Sequence, residues 1–165
     1  MENKYTIRHA KLADLDEITN LEQLCFPEKE AASKAAFFER LSVYAEHFLL
    51  LEREGHIISM VNGMVTTQKD LADEMYHDAK LHTEQGDWQM IFGVETHPEY
   101  QSKGYAAAVL NAMIEEARQQ NRLGVVLTCK EELIPYYERF GFVNEGVSVS
   151  EHGEAVWYQM RMKLY

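Results

Sequence analysis

Between His97 and Ala106 the chain reads His-Pro-Glu-Tyr-Gln-Ser-Lys-Gly-Tyr-Ala, a turn rich in small and polar residues. Upstream, Gln89 to Thr96 reads as a buried strand, and downstream, Gly104 to Asn121 reads as an amphipathic helix. A turn that enters a helix in this way aims several free backbone N–H groups at one point. The helix macrodipole adds partial positive charge there, so the turn suits an anion such as a pyrophosphate. Gly104 allows close backbone approach, and Ala106 keeps the first helical turn open. Around Tyr76-His77-Asp78 and Lys80-Leu81-His82, histidines stand beside acidic residues, but not at the spacing of metal ligands. No metal is therefore expected, and this segment reads as a surface helix and loop.

These residues need a scaffold, and 165 residues suffice for one domain spanning 1–165 with its own core. With 46% hydrophobic and 26% charged residues the composition is that of an ordinary globular protein. No apolar run approaches the ~20 residues that span a bilayer, and the start of the chain lacks a secretory pattern, so neither membrane nor export is expected. Cys25 and Cys129 stand far apart in apolar settings, which fits buried free thiols in a reducing cytoplasm. A net charge of −11 argues against nucleic acid, whose affinity comes from neutralised phosphates. It is compatible with cationic substrates.

Tyr5 to His9 alternates as a strand, and Leu12 to Cys25 places Leu12, Leu15, Ile18, Leu21, Leu24 and Cys25 at helical spacing. Ser33 is a candidate N-cap for a helix through Arg40. Phe48 to Glu52 and His56 to Val65 predict a hairpin turning at Arg53-Glu54-Gly55, and Leu71 to Leu81 a short helix. Val125 to Cys129 predicts a buried strand, parallel to the motif strand because the Gly104 helix lies between them. Leu133 to Phe140 predicts a helix ended by Gly141, and Phe142 to Ser150 and Ala155 to Leu164 two final strands, which offer a surface for a homodimer that nothing in the sequence specifies.

Two motifs carry a family resemblance. Gln101-x-x-Gly104-x-Ala106 resembles the acyl-CoA loop of the GNAT N-acetyltransferases. One helix and one strand later, Tyr137-x-x-x-Gly141-Phe142 resembles their final conserved segment. The pattern from Cys129 to Phe142, Cys-x-x-x-Leu-x-Pro-x-Tyr-x-Arg-Phe-Gly-Phe, is similar to that of arylalkylamine (serotonin) N-acetyltransferases and their bacterial relatives. The resemblance implies an α/β GNAT fold: a single mixed central sheet with splayed parallel strands, flanked by helices.

It also implies acetyl-CoA as co-substrate and a primary amine as acceptor. By resemblance, backbone groups of Val94, Glu95 and Thr96 bind the pantetheine arm, and Gln101, Ser102, Lys103, Gly104, Tyr105, Ala106 and Ala107 hold the pyrophosphate. Tyr137 matches the tyrosine assigned as general acid, since a phenol with a pKa near ~10 can protonate a leaving thiolate. Where the serotonin enzymes carry two proton-relaying histidines, this chain has Met90 and Phe92, which accept no proton. Lys130 likewise replaces an acidic residue. Glu95, His97, Glu28 and Glu30 are alternative bases, and a water chain with no dedicated base fits equally well. Phe26, Phe37 and Phe38 are open between lining an amine pocket and forming ordinary core. The expected activity is N-acetylation of a small arylalkylamine or polyamine. Acetylation of a peptide, and a non-catalytic acyl-CoA-binding module, stay open as alternatives.

Overall fold

The computed structural model describes residues 4–165. In chain order the strands are β1 (Thr6–His9), β2 (Phe48–Arg53), β3 (His56–Asn62), β4 (Val65–Thr66), β5 (Trp88–Ile91), β6 (Gly93–Thr96), β7 (Gly124–Cys129), β8 (Val143–Val147) and β9 (Tyr158–Lys163). The helices are α1 (Leu15–Cys25), α2 (Lys34–Tyr44), α3 (Glu74–His77), α4 (Tyr105–Gln119) and α5 (Ile134–Glu138). They fall into two compact units: residues 4–63 with Gly93–Met113, and Met64–Phe92 with Ile114–Tyr165.

The first unit is built on an antiparallel sheet of order β1-β2-β3-β6. Its β2–β3 hairpin turns where the sequence predicts, with Glu54 and Gly55 both at positive φ (52° and 81°), the backbone that matches strand twist in a tight turn. Cross-strand partners share a face, which puts Phe48, Asn62 and Gly93 on one side with Met60 and Glu95. The helices α1 and α2 cover that side: Phe37 and Tyr44 of α2 both pack on the Phe48 ring, at 6.1 and 6.2 Å between centroids. Ser33 caps α2 as expected, its hydroxyl accepting from the Ala36 N–H at 3.1 Å. On the other side, Leu51 and Ile58 form a buried cluster with Tyr105 at the start of α4, joined by Ile7, Tyr100 and Ala108.

The second unit holds a mixed sheet of order β4-β5-β7-β9-β8. The strands β5 and β7 pair in parallel, from Trp88 against Gly124 to Ile91 against Leu127, so the expected βαβ unit with α4 as crossover is present. Two buried arginines staple loops to this sheet. Arg122, 8% exposed, donates to the carbonyls of Glu84 and Gly86 at 2.6 and 2.8 Å and pairs with the Glu84 carboxylate at 3.0 Å. Arg161 joins Glu145 and Asp70 while its guanidinium lies over the Trp88 ring.

Several expected elements come out differently. The strand expected from Gln89 to Thr96 is interrupted at Phe92. Its first half pairs with β7 and its second with β3, so the expected single sheet is realised as two ladders. The strand expected from His56 to Val65 divides likewise: β3 ends at Asn62, and Val65 pairs with Gln89 instead. In both places the segment changes its hydrogen-bonding partner, and one extended run cannot keep a single register with both. The helix expected from Leu71 to Leu81 is shorter and broken: α3 holds four residues, Asp78 interrupts it with extended backbone, and a 3-10 turn follows at Ala79–Leu81. Among the described residues, no helix is long and apolar enough to cross a membrane.

Replacing Arg122 by alanine removes the donors that hold the Glu84–Gly86 backbone. An Arg122→Ala variant should lose about 2–3 kcal/mol of stability, read as a lower urea midpoint with an unchanged denaturant slope. An unchanged midpoint would show that these carbonyls find water at no cost.

Candidate active site

The turn after β6 is held at both ends. Upstream, a 3-10 turn at Pro98–Tyr100 is capped by His97, whose Nδ1 accepts from the Glu99 N–H at 3.1 Å. Downstream, Tyr105 is buried, its ring edge-on to Tyr5, and its hydroxyl accepts from Arg53 Nη1 at 3.2 Å. The same Arg53 guanidinium lies 5.9 Å from the Tyr100 ring centroid. Between the two tyrosines, Gln101, Ser102, Lys103 and Gly104 are all exposed.

The backbone there turns through two left-handed residues, Ser102 at φ 63° and Gly104 at φ 88°. A Cβ on Gly104 would meet nothing within 4 Å, so the turn is an open cradle and glycine is required by its dihedral alone. The Gly104 carbonyl accepts the first helical bond, from Ala108 N–H at 3.0 Å. The first N–H groups of α4, at Tyr105, Ala106 and Ala107, then have no intrahelical acceptor and point out of the helix end. The expected pyrophosphate cradle thus has the required geometry, and Lys103 stands exposed beside it.

The strand β6 is the edge of its sheet. The His97 N–H donates to the Ile58 carbonyl, and antiparallel pairs alternate, so Glu95 and Gly93 direct their backbone toward Met60 and Asn62 of β3. Val94 and Thr96 therefore present their backbone to the open edge, while Glu95 does not. The Glu95 carbonyl also accepts from the Ser59 hydroxyl at 2.8 Å. At the edge, the Thr96 carbonyl already accepts from Gln101 Nε2 and from the Cys25 thiol, each at 3.2 Å. Gln101 thereby ties the loop to the strand end. An extended amide-bearing arm would find Val94 and the Thr96 N–H as its partners.

In the second unit, Tyr137 lies on α5, 7% exposed, with its ring against Tyr136, Phe140 and Phe142. The Tyr137 carbonyl accepts from the N–H groups of Phe140 and Phe142, closing the turn at Gly141, which sits at φ 106°. The neighbouring Tyr136 is half-buried, and burial raises its pKa. Met90 is fully buried in β5, and the Phe92 ring packs on Tyr76 at 4.6 Å. Tyr76 in turn stacks on His152 at 4.9 Å and shares a hydrogen bond with Thr128. The Lys130 ammonium lies over the Trp157 ring at 5.7 Å. The His77 segment is thus partly a structural element packed by Tyr76.

The alternative bases separate by environment. His97 uses its Nδ1 as a cap, and Glu28 is exposed on the α1–α2 loop. Glu95 alone among them is fully buried, and burial raises its pKa well above the usual carboxyl range, with the neighbouring Glu22 charge adding to the rise. Glu22 is a residue that sequence reasoning missed. Its signal was its position: Ile18, Glu22 and Cys25 fall at i, i+4 and i+7, which puts a carboxylate in the apolar stripe of α1. The three phenylalanines divide as well. Phe37 is core, Phe38 is about half exposed, and Phe26 is half-buried. Both cysteines are free, and burial first pushes each thiol up to about 11.

Comparison with known proteins is consistent with this geometry. The chain is 24% identical over 166 residues to a Bacillus subtilis protein named probable hydrolase YhcX, covering 94% of this chain and 30% of that one. The chain thus spans under a third of that relative's length. Among solved structures, the loading GNATL domain of CurA from Lyngbya majuscula superposes with a TM-score of 0.85 at 18% identity, covering 98% of each chain. The ribosomal-protein-S18-alanine N-acetyltransferase from Escherichia coli gives 0.72 at 18% identity, covering 98% of this chain and 94% of that one. Both likenesses establish the fold. Residues 15–142 match the sequence pattern of the acetyltransferase (GNAT) family, a span that includes the loop, β6 and the Tyr137 segment, and the chain belongs to that family.

Proposed function

We propose that this GNAT protein is an N-acetyltransferase that moves the acetyl group of acetyl-CoA to a primary amine, and that the amine is a small arylalkylamine. The observation that carries the reading is the Gln101–Ala107 cradle: an exposed turn with two left-handed residues, held between the half-buried Tyr100 and the buried Tyr105 and opening onto the N-terminus of a 15-residue helix. Such a site binds a diphosphate through N–H groups and helix dipole, despite a net charge of −11 on the chain as a whole. The edge strand β6 adds Val94 and Thr96 for the amides of a pantetheine arm. Acetyl-CoA, when bound, supplies the activated acyl group.

The remaining roles belong to the protein. The amine must lose a proton before its nitrogen bonds to the acyl carbon. The carbon–sulfur bond then breaks, and the departing thiolate takes a proton. Tyr137 is the donor in this reading, and its ring is held by three aromatic neighbours, which limits the hydroxyl to a narrow arc. The narrower likeness to arylalkylamine enzymes rests on the Cys129–Phe142 pattern. With Met90 and Phe92 in place of histidines, the proton leaves the amine by another route than in those enzymes.

The test is thiol release from acetyl-CoA against phenethylamine, tryptamine, polyamines and short peptides, with products confirmed by mass. A Tyr137→Phe variant should keep its acetyl-CoA affinity and lose about 100-fold or more in kcat. Undiminished turnover would make Tyr137 a packing residue. A Gly104→Val variant forces a β-branched residue to positive φ, which costs about 1–2 kcal/mol. It should raise the KM for acetyl-CoA roughly tenfold with little change in kcat. Turnover on peptides alone would replace the arylalkylamine by a peptide acceptor, and binding of acetyl-CoA without turnover on any amine would leave a binding module.

A further inference from the structure

The cradle holds a backbone that one of its own residues resists. Ser102 sits at φ 63°, a left-handed conformation that costs a residue with a Cβ and persists only where the surrounding structure holds it. Gly104, at φ 88°, takes the same region freely. Gln101 to Gly104 are all exposed, so this stretch has little packing of its own and has to be held from its ends, at Tyr100 and Tyr105.

Strand β2 supplies a side chain that reaches both ends. Leu51 packs on Tyr105 in the buried cluster, and Arg53, two residues further along the strand, lies on the same face. Arg53 Nη1 donates to the Tyr105 hydroxyl at 3.2 Å, and the guanidinium lies over the Tyr100 ring at 5.9 Å. The two rings are 6.5 Å apart, so one planar cation joins them. Beyond Tyr100, the His97 ring stands edge-on at 5.7 Å and carries the contact to the end of β6. Arg53 is itself fixed by the hairpin, where it pairs with His56 across the Glu54-Gly55 turn. The carboxylate beside it, Glu52, is taken by Arg8 at 2.6 Å, and Arg53 Nε has no hydrogen-bond partner among the described residues. The guanidinium is thus committed to the two tyrosines rather than to an acidic partner on its own strand.

We propose that Arg53 is the positioning residue of the cradle, and that through it the protein favours acyl donors carrying a diphosphate over simple pantetheine thioesters. The inference rests on the N-acetyltransferase reading and adds what sets its choice of donor. The N–H groups of the loop converge on one point only while Ser102 and Gly104 keep their left-handed backbone. A loop braced in advance does not draw on the binding energy of the diphosphate to order itself. The pantetheine arm needs no such brace, because Val94 and Thr96 are held by the ladder between β6 and β3. Loss of Arg53 therefore acts on the diphosphate end of the donor alone. Lysine keeps the charge but lacks the planar fork that donates to a hydroxyl and lies over a ring at once, so it does not replace arginine here.

The test compares two acetyl donors in the thiol-release assay: acetyl-CoA, and S-acetylpantetheine, which keeps the arm and the thioester but has no diphosphate. Arg53→Gln and Arg53→Lys should each raise the KM for acetyl-CoA about tenfold, equivalent to about 1.4 kcal/mol, with kcat unchanged. Their kcat/KM for S-acetylpantetheine should match wild type, which also reports that each variant is folded. Tyr105→Phe, which keeps the ring and removes the acceptor hydroxyl, should raise the KM for acetyl-CoA in the same direction. Combined with Arg53→Gln it should add nothing further, since both remove the same hydrogen bond. Calorimetric titration with CoA and with pantetheine should show the same contrast and needs no amine. Equal losses with both donors, or an unchanged KM for acetyl-CoA in Arg53→Gln, overturn the proposal. Full activity in Arg53→Lys overturns it as well, because charge alone would then suffice. In each of these cases wild type still binds CoA, and the N-acetyltransferase reading stands. A wild type that binds no CoA overturns that reading and the proposal with it.

Discussion

Backbone hydrogen bonds have to be satisfied along every buried segment, and the segment from Trp88 to Thr96 meets that demand by changing partners midway. Residues 88–91 bond in parallel to β7, and residues 93–96 bond antiparallel to β3, with Phe92 as the one residue between. Once β6 pairs with β3 on one side only, its other edge keeps two residues with outward backbone groups. The side-chain alternation that follows from the same register sends Gly93 and Glu95 to the helical face. Edge and buried carboxyl thus both descend from one choice of register, because a slip of one residue would exchange their roles.

Much of this was legible from periodicity. The presence of α1, α2 and α4, the Ser33 cap, the Glu54-Gly55 turn and the parallel pairing of β5 with β7 rest on local patterns or on a single crossover, although α1 starts only at Leu15 and α2 runs on to Tyr44 beyond the expected end at Arg40. The break at Phe92 was not legible, because an apolar run looks alike whether one partner or two take up its hydrogen bonds. The Leu71–Leu81 stretch misled for a different reason. Its apolar residues are spaced as in a helix, and Met75 and Ala79 are buried from α3 and the 3-10 turn, but the extended backbone at Asp78 breaks the helix at a place the spacing does not mark.

The candidate site divides along the same line. The Gln101–Ala107 turn announces itself by sequence because its geometry is made by its own residues: a glycine where φ is positive, small side chains at the helix start. The carboxyl pair does not, because Glu22 and Glu95 are far apart in the chain and meet only through the packing of α1 on β6. A charged residue in an apolar helical stripe is the one local trace it leaves. Tyr137 is intermediate. Its motif was visible, and the structure adds that its ring is clamped by aromatic residues from its own segment.

The two native thiols have a practical consequence. With both pushed up to about 11, Cys25 and Cys129 are almost wholly protonated near neutral pH and make poor nucleophiles. Ser102, by contrast, is exposed at the crest of the loop between two anchored tyrosines. A single cysteine placed there would be alkylated far faster than either native one, so a fluorescent reporter can be attached beside the anion cradle without first stripping the protein of its own sulfur.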